Sequence, residues 1–174
     1  EGITSMVNPG DILDFQGTIK TKPDLGSLII DKPVNIISST HDGRIENFAV
    51  VNFTKASSGS NVTGLYTHNT QFYVWNADYI VFDNISNVVE DKQVGWGVGQ
   101  TSIRENSSYI TVKNSYFYTK NNGGSSTLVL AWANYCDIIN NTIIGGGDNG
   151  NLLYLTTYNV EIPSGALFNS YNRS

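Results

Sequence analysis

The hexapeptide Tyr79-Ile80-Val81-Phe82-Asp83-Asn84 returns 30 residues later as Tyr109-Ile110-Thr111-Val112-Lys113-Asn114. A further 27 residues on, Cys136-Asp137-Ile138-Ile139-Asn140-Asn141 keeps a similar order of apolar and polar positions, and Ile45-Glu46-Asn47 is an earlier copy. A repeat of roughly 20 to 50 residues is the mark of a solenoid, because each unit buries its apolar face only by stacking on its neighbours. If one repeat makes one coil, parallel strands lie about 4.8 Å apart and equal positions sit above one another. Ile45, Phe82, Val112 and Ile139 are then expected to form one interior stack. Asn47, Asn84, Asn114 and Asn141, two places on, are expected to stack at the adjoining bend, where Asn tolerates left-handed backbone angles.

The rest of the chain agrees with an all-β coil. No sustained helical spacing of apolar residues occurs, and Val, Ile, Thr, Tyr and Phe come in short runs punctuated by Asn, Gly and Ser. Only 14% of residues are charged, so solubility rests on 21 Asn, 17 Ser and 15 Thr. Further strands are expected at Leu28–Ile30, Val34–Ile37, Phe72–Trp75, Leu128–Trp132 and Leu152–Leu155. The polar or Gly-rich segments 55–63, 87–101, 119–126 and 145–151 are expected to project from the coil. A length of 174 residues suits one unit, 1–174.

Composition narrows the function. A net charge of −5 argues against nucleic acid and anionic lipid as partners. No apolar run reaches the length of a membrane span, so no direct membrane insertion is expected, and Glu1-Gly2 begins without the pattern of a signal peptide, as in a mature or excised segment. Cys136 is the single cysteine, so neither an intrachain disulfide nor a zinc set exists. Six Asn-x-Ser/Thr sequons begin at Asn52, Asn61, Asn84, Asn106, Asn140 and Asn172, a pattern of glycosylated extracellular proteins.

Chemistry-bearing motifs are few. Gly145, Gly147 and Gly150 match a dinucleotide loop, but a strand follows where a helix is needed, and the segment reads as a turn. Asp78, Asp83, Glu90, Asp91, Glu105 and Asp137 are scattered and read as solvated charges, and His41 and His68 are too few for a metal set. No cofactor, no metal and no catalytic residue is therefore assigned. Aromatic residues are more informative, since Tyr and Trp can stack on the apolar faces of sugar rings. The repeat offsets place Trp75, Glu105 and Trp132 in one column, which is either a glycan shelf or core. Tyr73, Ile103 and Leu130, two places earlier, read as interior. Trp96, in the Gly95–Gly99 run, and Arg104 complete the candidate ligand-binding set of Trp75, Trp96, Arg104, Glu105 and Trp132.

With Asn122-Gly123-Gly124-Ser125-Ser126-Thr127-Leu128 and the tail Gly150–Tyr158, these columns resemble the right-handed parallel β-helix proteins of the pectate-lyase-like superfamily. The phrases Asp31–Thr40 and Thr101–Asn106 are most similar to adhesin-like surface proteins of methanogenic archaea. The resemblance implies a right-handed parallel β-helix without a helical domain, cut from a longer cell-surface or cell-wall protein. It also implies a stalk or a binding surface for glycans or partner proteins. A polysaccharide lyase or glycoside hydrolase is the alternative, and enzymatic activity is left open. Val160-Glu161-Ile162 begins another coil, so self-association through the C-terminal end of the solenoid is expected.

Overall fold

The computed structural model describes residues 6–20, 26–48, 50–90, 101–120, 126–145 and 153–156. They build a parallel β-solenoid of three sheets, each six strands deep. The first sheet stacks β1 (Ile12–Asp14), β4 (Asn35–Ile37), β7 (Asn61–Thr63), β10 (Val81–Asp83), β13 (Thr111–Lys113) and β16 (Asp137–Ile139). The second stacks β2 (Thr18–Lys20), β5 (Arg44–Glu46), β8 (Tyr66–His68), β11 (Ser86–Val89), β14 (Tyr116–Thr119) and β17 (Thr142–Gly145). The third stacks β3 (Ser27–Ile30), β6 (Val50–Phe53), β9 (Gln71–Trp75), β12 (Thr101–Arg104), β15 (Leu128–Ala131) and β18 (Leu153–Thr156). Each coil visits the three sheets in turn, and inter-strand hydrogen bonds run along the coil axis. No α-helix lies among the described residues; Lys55–Ser57 form a short 3-10 turn.

Strands this short hold because alternate side chains enter a common interior. Leu13, Ile36, Val62, Phe82, Val112 and Ile138 form the inward column of the first sheet. Phe53, Phe72 and Phe82 meet at the centre: Phe82 lies 5.5 Å edge-on to Phe53 and 5.2 Å from Phe72. In the second sheet the inward column runs Ile45, Thr67, Asn87, Phe117 and Ile143. The buried Asn87 there is satisfied by polar neighbours: its amide donates to Thr67 Oγ1 at 2.7 Å and to the Thr70 carbonyl at 2.8 Å.

The structure corrects the expected register in two places. Val112 pairs with Ile138, not Ile139, so the third copy begins at Tyr135 and Ile139 is 37% exposed. Ile45 is buried as expected but belongs to the second sheet, in a separate column from Phe82. The bend after the first sheet is accordingly lined by Asn84, Asn114 and Asn140, with φ of 52°, 51° and 51°. Asn140 donates its amide to Asn114 Oδ1 at 2.9 Å, and Asn114 donates to Asp83 Oδ1 at 3.0 Å. Asn141 instead turns inward and is buried, accepting from the Ser115 amide and donating to the Val112 carbonyl. Asn47 shares the corner after the second sheet with Asn69, at φ 60° and 48°. The segments expected to project overlap strands: 61–63 belong to β7, 87–89 to β11, Thr101 to β12, Thr119 to β14 and Gly145 to β17. Residues 91–100, 121–125 and 146–152 lie outside the described residues, as does Val160–Ile162.

Candidate functional site

The corner leading from the third sheet back to the first is where the aromatic residues gather. It is formed by residues 76–80 after β9, 105–110 after β12 and 132–136 after β15. Small buried residues, Ala77, Ser107 and Ala133, let the chain fold tightly there. Ser107 Oγ accepts the Ala77 amide at 3.3 Å and donates to the Arg104 carbonyl at 2.6 Å. Parallel bridges then join Asp78 to Ser108 and Ser108 to Asn134, and Asp78 Oδ1 accepts the Ser108 amide at 2.9 Å. The next residue in each coil is a tyrosine in the left-handed region: Tyr79, Tyr109 and Tyr135, with φ of 58°, 58° and 51°.

These three tyrosines form a surface ladder. Tyr79 and Tyr109 stack at 4.9 Å with planes 3° apart, and Tyr109 and Tyr135 at 5.0 Å with planes 8° apart. All three are about half exposed, so burial contributes little to offset their backbone strain of ~1–2 kcal/mol each. Stacking returns ~0.5–1.5 kcal/mol per pair. In the coil before Tyr79 the same corner position is Gly59, at φ +88°, the residue for which such an angle is cheapest. Sequence patterning does not single out the ladder because the one-residue slip in the third copy hides Tyr135; the small-x-Tyr-apolar pattern at 77–80, 107–110 and 133–136 is the signal that reveals it.

Four of the five candidate ligand residues lie at the same corner; Trp96 lies outside the described residues. Trp75 ends β9, is 42% exposed and packs at 5.6 Å against Tyr73. Its register partner is Arg104, which pairs in turn with Ala131, so Trp75, Glu105 and Trp132 do not share one column. An extra residue explains the shift: seven positions separate Arg104 from Thr111, against six from Trp75 to Val81 and six from Ala131 to Asp137. Glu105 and Trp132 both take left-handed angles, 47° and 56°, and Trp132 is 52% exposed. Tyr73, read as interior, faces outward in register with Ser102, while Val74, Ile103 and Leu130 fill the interior column.

Arg104 is half-buried, and its Nε is buried without a hydrogen-bond partner. Burial pushes the Tyr73 phenol above its ordinary range; the Arg104 charge pulls it back and the Glu105 charge raises it further. Tyr73, Trp75, Arg104 and Glu105 thus share one electrostatic neighbourhood.

Other polar groups are engaged locally. Asp83 pairs with Lys113 at 3.3 Å and Glu90 with His68 at 3.2 Å. Among the described residues no three His, Cys, Asp or Glu side chains are grouped to hold a metal ion, and no helix there is long and apolar enough to cross a membrane. Of the sequon asparagines, Asn84, Asn106 and Asn140 are exposed. The amide of Asn61 donates to Asn35 Oδ1 and that of Asn140 to Asn114 Oδ1. Asn52 is half-buried with an unpartnered Oδ1, and Asn172 lies outside the described residues.

Cys136 stacks inside the corner below Tyr135, fully buried, and burial pushes its thiol up to about 11. The thiolate is the nucleophile, so this cysteine is inert in the folded protein. Iodoacetamide at neutral pH should leave it unmodified in the native state and alkylate it completely in guanidinium. Rapid native labelling, followed by mass spectrometry, would contradict the buried placement.

Comparison with known proteins yields no relative: no family model, curated protein or solved structure matches the chain significantly.

Proposed function

We propose that this chain is a segment of an extracellular, cell-surface adhesin-like protein whose aromatic corner binds glycans. The supporting observation is the set of bulky, exposed side chains at left-handed backbone positions, Trp132 and the three tyrosines. Such positions favour Gly or Asn, and strain held on the surface without burial to offset it concentrates at functional sites. The indole of Trp132 offers a sugar an apolar face, the stacked tyrosines present ring edges and phenol hydroxyls, and Glu105 adds an acceptor for sugar hydroxyls. The resemblance to archaeal adhesin-like β-helix proteins supports the same reading, as does the exposure of Asn84 and Asn106 as glycan acceptors.

Trp132→Asn removes the indole but places a residue that accepts φ near 56°. Its melting temperature should be unchanged or slightly raised, while affinity for glycans retained by the wild type on an array should fall about tenfold, or ~1.4 kcal/mol. A fall in stability with binding intact would make Trp132 a packing residue and remove the basis of the proposal. New reducing or unsaturated ends on incubated polysaccharides would replace binding with catalysis.

A further inference from the structure

We infer that the tyrosine corner is built for an uncharged, extended β-linked pyranose chain lying along the solenoid axis, one sugar to each coil. The inference rests on the glycan reading above and names the class of glycan.

Tyr79, Tyr109 and Tyr135 cover one another's faces, with centroids 4.9 and 5.0 Å apart. What the ladder offers solvent is therefore a row of ring edges and phenol hydroxyls repeating at the coil spacing, rather than one broad stacking platform. Beside it runs a second row, Asp78, Ser108 and Asn134, locked in the same register by parallel bridges. Two parallel polar rows of fixed pitch recognise a polymer of matching pitch. An extended β-linked pyranose chain advances by one ring length per sugar, close to the 4.9 and 5.0 Å between successive tyrosines, so each coil meets one sugar, with alternate sugars turned over. An α-1,4-linked glucan coils and loses that register.

Charge sets the second constraint. Residues 76–80, 105–110 and 132–136 contain Asp78 and Glu105, and Asp137 follows at the start of β16, so three carboxylates stand against the half-buried Arg104 that ends β12. A polyanionic glycan would be repelled along the ladder, whereas a neutral polyol finds phenol donors and carboxylate and amide acceptors. The register is pre-set by the sheets on either side, so little ordering is needed on binding.

Titration calorimetry of the whole chain with cellobiose, cellotetraose and cellohexaose, against maltohexaose and an oligogalacturonate, tests this. Affinity should rise from the disaccharide to the tetrasaccharide and then level off, with the α-linked and charged chains weaker. Tyr109→Phe keeps the stacked ring and removes only the central hydroxyl; it should weaken cellotetraose binding about fivefold and leave the melting temperature unchanged. Length-independent binding, a preference for α-linked or charged chains, or an unaffected Tyr109→Phe variant would overturn the inference and leave the broader glycan reading standing. Failure of the wild type to bind any of these, or any glycan on the array, would remove both.

Discussion

Val112→Asp should abolish the cooperative unfolding transition at neutral pH. Val112 is fully buried between Phe82 and Ile138 in the inward column of the first sheet. The introduced carboxyl meets only apolar side chains there and must either stay charged without a partner or take up a proton. Either course costs more than ~4 kcal/mol, a large share of the ~5–15 kcal/mol that holds a domain together. The sign of the pH dependence follows. Burial raises the folded-state pKa of that carboxyl, so its penalty is smallest below the unfolded value of about 4 and grows as pH rises. Partial recovery of structure in acid, relative to wild type, is the expected signature in circular dichroism. Thr111→Asn is the control: its side chain faces out beside Asp137 of the next coil, where an uncharged amide adds no like-charge repulsion, and the melting temperature should move by no more than ~2 °C. A stable Val112→Asp protein would mean that the register is wrong.

Phe82→Ala should be the most damaging truncation. Phe82 contacts both Phe53 and Phe72 and is completely buried, so removal of the ring leaves a cavity that strands of two sheets would have to close. Such losses are ~3–5 kcal/mol, and the melting temperature of a chain this size should fall by roughly 10 °C. Phe82→Leu, which retains most of the volume, should cost less than half as much. Equal effects of the two would show that the aromatic cluster is not tightly packed.

The repeat that defines the coil was legible because its apolar-x-Asn spacing expresses a single corner, where an inward residue precedes a left-handed one. Its limits are equally physical. Ile138-Ile139 followed by Asn140-Asn141 satisfies the pattern in two registers, and only Tyr135 and Cys136, one place earlier, break the tie. Ile45 and Asn47 obey the same local chemistry at a different corner, so spacing alone cannot assign them to a sheet. The exposure of Trp75 follows strand parity with Tyr73, but the repeat offset gave Tyr73 the inward phase of Ile103 and Leu130, because the corner after Arg104 holds one residue more than its neighbours; Trp132 lies past the end of β15, where parity no longer applies. The corner tyrosines did not stand out for the opposite reason: exposed tyrosines are common, and what sets these apart is their backbone angles and mutual stacking, which only the register supplies.

The alignment of inter-strand hydrogen bonds with the coil axis has a mechanical consequence. A pull applied end to end loads the three strand pairs between neighbouring coils together, not one after another, and side-chain rows such as Asn140–Asn114–Asp83 lie parallel to the same force. When one such contact yields, the chain between equivalent points is freed as a unit. Between Val81 and Thr111 that is 30 residues, up to about 100 Å of slack. The stack is thereby a series of clasps, each releasing length by one coil while those on either side stay closed.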